Sequence, residues 1–186
     1  MPLAVRDETA ARRVRVELHN IPPGEAGTDA TVAKLGELVR GSLRAQRVRL
    51  VALQILQNYN VPNQDQAAAA RAIYAWVKNH VRYVPDPTDL ETVQSPDVTL
   101  QLRAGDCDDH AALVIALANS IGIRGRYRVM GPDRRRFRHI YPELLVGQRW
   151  RPADTTRQSG SFDMTSPSLG ASKTYTSEGK PSMYLG

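Results

Sequence analysis

The chain holds a single cysteine, and its surroundings are those of a nucleophile. Cys107 lies in RAGDCDDHAALVIALANSIGIRG, behind a glycine and among three aspartates, where an apolar pattern begins. Asp106 is a good helix N-cap, and Asp109 three residues on completes a capping-box-like arrangement. Cys107 then falls at the first helical position, where unpaired N–H groups and the positive end of the helix dipole favour a thiolate. Gly105 is read as leaving room for a substrate backbone. A sulfur and a backbone N–H acting on one carbonyl suit acyl transfer. The carboxylates of Asp106, Asp108 and Asp109 work against this, because nearby negative charge disfavours the thiolate. A cationic partner is required, and an imidazolium is the usual one.

The four histidines are His19, His80, His110 and His139. His110 follows Cys107 by three residues on the same expected helix, but a buried helix gives it no obvious orienting group. His139 lies on an expected strand and Asp154 on its hairpin partner. With a turn at Val146-Gly147 the two face each other on one side of the sheet, within reach of a His–Asp hydrogen bond. That pairs a base with its orienter, as a thiol nucleophile needs. A longer turn, or a bulge at Pro142 or Pro152, shifts the register. A metal centre of Asp106, Asp108, Asp109 and His110 is set aside, because neighbouring helical positions point about 100° apart. No metal and no cofactor is expected.

The elements that must position these groups follow from periodicity. VRVEL at 14–18 alternates as a short strand. NIPPGEAGTD reads as a loop, with Thr28 or Asp29 capping a helical pattern that runs to about Gln57 across Gly36 and Gly41. Residues 64–80 form the next helix, with Asn63 as its cap and Ala69, Ile73, Trp76 and Val77 as its buried stripe. Residues 81–100 read as a long irregular connection, a kind that is often functional. The helix from Cys107 to Ser120 is apolar nearly all round, so it is expected to be buried, and Gly122 ends it. RGRYRVM, FRHIYPELLV and QRWRPADTT then read as strands, the last two a hairpin. Helices followed by an antiparallel sheet make an α+β fold. Ser, Gly, Thr and Pro fill 16 of the 30 positions from 157 to 186. That stretch reads as an extended or disordered tail, with Phe162, Leu169, Tyr175 and MYL at 183–185 as anchors for a partner. The expected division is an arm over 1–27, a domain over 28–156 and the tail over 157–186.

Composition narrows the classes. At 41% hydrophobic and 24% charged, the chain reads as soluble and globular. No apolar run approaches the ~18 residues of a membrane span, and the N-terminus lacks the apolar centre of a secretory signal. One cysteine makes no internal disulfide. Residues 124–151 carry nine arginines against Asp133 and Glu143, while residues 86–109 carry seven acids against Arg103. The two segments are read as partly facing each other. A nucleic-acid partner is disfavoured, since the arginines show no interleaved aromatic platform.

GDCDDHAALVIALANSIGIRGR followed by RHIYPELLVGQRWRPADTT resembles the transglutaminase-like superfamily, in which Cys, His and Asp occur in that order. AIYAWVKNHVRYVPDP is similar to the lead-in of its bacterial and phage members, and IPPGEAGTDATVAKLGELV to the N-terminal part of the phage and prophage branch. The resemblance spans roughly residues 20 to 156. It implies a papain-like fold, a helix bearing Cys packed on an antiparallel sheet bearing His and Asp. It also implies a triad of nucleophile Cys107, general base His139 and orienter Asp154. The oxyanion is assigned to the backbone N–H of Cys107 or to Gln101, six residues upstream as in papain-like proteases, though Gln101 also reads as an ordinary loop residue. Tyr141 stands where many relatives carry another aromatic. The implied function is that of a cysteine peptidase, amidase or transglutaminase acting on peptide or cell-wall amides, in a phage virion, as a tail protein, or in the bacterial cytoplasm. The alternative is a non-catalytic phage structural or assembly protein. Virion proteins are then the expected partners of residues 157–186.

Overall fold

The computed structural model describes residues 22–44, 46–86, 92–164 and 170–182. The expected strand at 14–18 and the anchors Leu169 and MYL lie outside these residues. Three helices come first: α1 (Glu25–Arg44), α2 (Gln46–Asn58) and α3 (Gln66–His80). A two-residue strand β1 (Arg82–Tyr83), a short helix α4 (Pro96–Leu102) and strand β2 (Ala104–Gly105) lead into helix α5 (Cys107–Ser120). Strands β3 (Gly125–Gly131), β4 (His139–Val146), β5 (Arg149–Pro152) and β6 (Ala171–Thr176) complete the fold. They form one antiparallel sheet in the order β5-β4-β3-β6. The fold is α+β, as the order of patterns predicts.

Helix α5 is the centre. Every residue from Asp108 to Ala118 is buried. The four other helices, together with β3 and β4, all touch it. A helix that is apolar on every side needs such a surround. Val32, Leu35, Ile55, Ile73 and Leu144, each at most 1% exposed, supply part of it. Trp76 is a core residue, 7% exposed, stacked on His80 and covered by the guanidinium of Arg103.

Several boundaries differ from expectation. Helix α1 starts at Glu25, after Gly24 at φ +73°, and not behind a cap at Thr28 or Asp29. Asp65, and not Asn63, caps α3 by accepting from the Ala68 N–H at 2.8 Å. The connection over 81–100 is less irregular than expected. Ser95 caps α4 with Pro96 at its first position, a start signal that the surrounding prolines obscured. Arg103 closes α4 in the left-handed conformation at φ 55°. Strands β1 and β2 pair in parallel, Arg82 with Ala104 and Tyr83 with Gly105, which brings Tyr83 to the start of α5.

The expectation that residues 157–186 lie outside the core fails over β6. That strand pairs with β3 from Arg126↔Thr176 to Gly131↔Ala171. Tyr175 is fully buried, and Phe162 packs edge-on against Tyr74 at 5.9 Å. Lys173 bridges to Glu25 at 3.0 Å and Asp29 at 2.6 Å, and the Tyr175 hydroxyl donates to Asp29. These anchors fill the protein's own pockets, not a partner's. The short polar β6 gives little sequence signal because its alternation is read only against β3 and α1. The turn after β6 meets α1 backbone to backbone: a Cβ on Gly36 would stand 2.2 Å from the Glu178 carbonyl, and one on Gly179 would stand 2.3 Å from the Val32 carbonyl oxygen.

The 92–95 segment is tied to α5 through Asp109. Its carboxylate accepts from the Gln94 N–H and side-chain amide, both at 2.7 Å, and from the Asp106 N–H at 3.3 Å. Burial above all pushes the Asp109 carboxyl up to about 7. A folded pKa above the unfolded value of roughly 3.9 means the folded state binds more protons, so this contribution is full below about pH 4 and is lost as pH rises toward 7.

Two outcomes follow from these contacts. Gly36→Val should lower the free energy of unfolding by about 1–3 kcal/mol or more through overpacking, whereas Gly41→Ala, in open space, should not destabilise. Denaturant midpoints that fall equally for both would contradict the close approach. Between about pH 4 and 7, wild-type stability should decline relative to Asp109→Asn, and parallel pH profiles would contradict the Asp109 assignment.

Candidate active site

Cys107 occupies the first position of α5. Asp106 caps the helix, accepting from the N–H groups of Asp108 and Asp109, and Asp109 returns the capping-box bond. Half-buried, Cys107 lines a cleft of about 460 Å³ that it shares with His139. The far wall comes from Pro22, Gly24 and the first turns of α1, so the NIPPGEAGTD stretch expected as a loop supplies part of it.

His139 opens β4. Its Nε2 lies 2.7 Å from the Asp154 carboxylate, which is 3% exposed. The pair forms although the expected register is off by two residues. The turn is Gly147-Gln148, with Gly147 at φ +62°, and β4 pairs with β5 as Val146↔Arg149 through Glu143↔Pro152. Continued past Pro152, that register sets Asp154 opposite Tyr141, so His139 is its diagonal neighbour on the same face. The Thr156 N–H and hydroxyl hold the other carboxylate oxygen at 3.1 and 2.8 Å. Tyr141, 1% exposed, stacks against the His139 ring at 5.8 Å and does not line the cleft. The bond through Nε2 leaves Nδ1 as the nitrogen able to take a thiol proton.

His110 is turned away from this work. It is 1% exposed, bonded through Nδ1 to the Thr155 hydroxyl at 2.9 Å, and burial depresses its basicity. It braces the residue next to Asp154. Gln101 lies exposed on α4 and does not line the cleft. Tyr83 does line it, at the edge of the His110 ring, with Cys107 among the charges that raise its phenol pKa after burial. The sequence reading missed Tyr83 because its placement depends on the parallel β1–β2 pair. The room expected at Gly105 is taken by Asp109, whose Cβ and carboxylate would stand 2.6 Å from an added Cβ.

The geometric ground for setting aside Asp106, Asp108 and Asp109 as a cluster is corrected: one oxygen from each lies within 4.8 Å of the others. Capping turns the Asp106 and Asp109 side chains back over the helix end, where N–H donors engage them. The two charged segments do meet in part, since Arg135 and Arg138 line the cleft together with Asp106 and Asp108. Other arginines of the 124–151 segment pair with acids in or near it. Arg126 and Arg128 clasp Glu143 at 2.6 and 2.7 Å, Arg136 meets Asp133 and Arg151 meets Asp163. Trp150, overlooked as an aromatic partner, lies under the Arg126 guanidinium at 4.3 Å. A second cavity beside it, of about 310 Å³, is lined by no thiol, imidazole or carboxylate among the described residues. No helix among the described residues is long and apolar enough to cross a membrane.

The arrangement is similar to known folds. A candidate protease from Parabacteroides distasonis superposes with a TM-score of 0.60 at 16% identity, over 86% of this chain and 30% of its own. A candidate cysteine protease from Cytophaga hutchinsonii aligns at 0.45 and 23% identity, over 69% of this chain and 49% of its own. A structure named a TGase aligns at 0.40 and 14%, over 71% and 32%. The chain thus spans less than half the length of each, and the likeness is one of fold. No curated protein sequence matches it. Residues 54–155, more than half of the chain and including Cys107, His139 and Asp154, match the transglutaminase-like superfamily core, and this protein belongs to that superfamily.

Proposed function

We propose that Cys107, His139 and Asp154 form the catalytic triad of a thiol-dependent acyl-transfer enzyme acting on peptide or cell-wall amides. The observation that carries the reading is the His139–Asp154 bond beside a cleft shared with the thiol at a capped helix start. His139 Nδ1 takes the thiol proton and becomes an imidazolium, which Asp154 and its Thr156 contacts stabilise. The sulfur attacks the amide carbonyl carbon. The C–S bond forms, the C–N bond breaks, and the imidazolium returns its proton to the leaving amine. Water attacking the thioester completes hydrolysis, and an amine attacking it completes transamidation. Acceptor choice depends on the cleft walls.

The Cys107 N–H, at the end of α5, is the assigned oxyanion donor. Gln101 is withdrawn from that role because it lies outside the cleft. A setting in a phage particle rests on the resemblance of IPPGEAGTDATVAKLGELV and AIYAWVKNHVRYVPDP, and the own-core packing of Phe162 and Tyr175 removes two of its expected partner anchors.

Iodoacetamide should alkylate Cys107 near pH 7 faster than it alkylates free cysteine. His139→Ala should slow that reaction about tenfold or more, because an unassisted thiol is only a few per cent thiolate at this pH. Asp154→Asn should fall between the two. Rates measured by mass spectrometry of the single thiol decide it, and a wild-type rate equal to that of free cysteine would overturn the triad.

A further inference from the structure

The connection from β3 to β4 carries four arginines, at 134, 135, 136 and 138. They are not equivalent. Arg136 is paired with Asp133 through Nε at 3.0 Å and a terminal nitrogen at 2.7 Å. Arg135 and Arg138 are exposed and line the same cleft as Cys107 and His139, and no carboxylate among the described residues pairs with either. Arg134 is exposed but is not part of the cleft.

Their backbones are fixed. The Arg135 N–H donates to Asp133 at 2.8 Å, and the Arg138 N–H donates to the Met130 carbonyl at 2.8 Å. The chain folds back so closely that a Cβ on Gly131 would stand 2.0 Å from the Arg136 carbonyl oxygen. Phe137, between the two arginines, packs on the core. Across the cleft, Gly24 approaches the Arg135 backbone at 3.9 Å from where its Cβ would be. The backbone that carries the two guanidinium groups along the cleft is therefore fixed.

The cleft also holds acids: Asp106, which caps α5, and Asp108, which is 2% exposed. Cation and acid thus come from different walls, the acids from the helix that carries the sulfur and the cations from the loop leading to His139. Guanidinium groups recognise carboxylates through paired N–H donors, and a concave wall focuses their field.

We propose that Arg135 and Arg138 make this cleft selective for acyl donors that carry a carboxylate close to the reacting carbonyl. This rests on the reading of Cys107 as nucleophile only for the position of that carbonyl. The carboxylate belongs to an acidic side chain or to a free chain end, and the test separates the two.

The lone cysteine permits a test that needs no known substrate. Alkylation rates of Cys107 are compared for iodoacetate, an anion, and iodoacetamide, its neutral counterpart. In wild type the iodoacetate-to-iodoacetamide ratio should exceed that of free cysteine and fall with added salt. In Arg135→Gln/Arg138→Gln the iodoacetate rate should drop about tenfold more than the iodoacetamide rate, while Arg134→Gln should keep the wild-type ratio. Protection from iodoacetamide by N-acetylglutamine α-carboxylate, or by N-acetylglutamate α-amide, then tells a chain-end carboxylate from a side-chain one. A ratio equal to that of free cysteine, a ratio unmoved in the double variant, or protection by neither compound at millimolar concentration would overturn the proposal. Slow wild-type alkylation by iodoacetamide would count against the nucleophile instead, and the ratio would still report the charge of the wall.

Discussion

Helix α5 must be buried from Asp108 to Ala118 and yet present Cys107, its first residue, to the cleft. From Asp108 to Ala118 no residue has a solvent face, so helices must cover it on one side and the sheet on the other. Its N-terminal N–H groups cannot be left dry and unpaired. The chain meets both demands with aspartates: Asp106 satisfies the helix end, and Asp109 satisfies Asp106 while fastening the 92–95 segment. Cys107 is the residue left at the boundary, with the core below and the cleft above.

The sheet is placed by the same demand. Strands β3 and β4 cover α5, so the start of β4 comes to the cleft and carries His139 there. Asp154 follows because β5 pairs with β4, and Thr156 fixes its carboxylate. His110, buried on α5 itself, grips Thr155 and so joins the helix to the strand end that presents Asp154. The C-terminal strand serves this frame at a distance. Through Lys173 and Tyr175 it holds the start of α1, which forms the far wall of the cleft.

Much of this was legible in the sequence, for local reasons. The capping box, the apolar helix behind it and the alternating strands depend on residues a few positions apart. The His139–Asp154 contact was legible for a partly mistaken reason: the turn lies one residue later than read, and the contact is diagonal, not direct. What failed depends on distant partners. Strand β6 is recognisable only against β3 and α1, and Tyr83 reaches the cleft only through pairing with Gly105. Arg135 and Arg138 line the cleft, whereas the Arg136 guanidinium is taken up by Asp133, a difference that spacing along the chain does not show. Gln101 rests on spacing along the chain alone, and its own helix α4 carries it to an exposed position outside the cleft.

The central claim is that Cys107 attacks a carbonyl with the help of His139. Intact-mass analysis after brief exposure to p-nitrophenyl acetate tests it most directly, since the chain has one thiol on which a thioester can form. Wild type should release a burst of about one p-nitrophenolate per chain and carry one hydroxylamine-labile acetyl group on Cys107, as expected of an accumulating acyl-enzyme. Under the same conditions His139→Ala should show neither. A wild-type protein that acquires the acetyl group no faster than His139→Ala, or acquires it on another residue, would contradict the account.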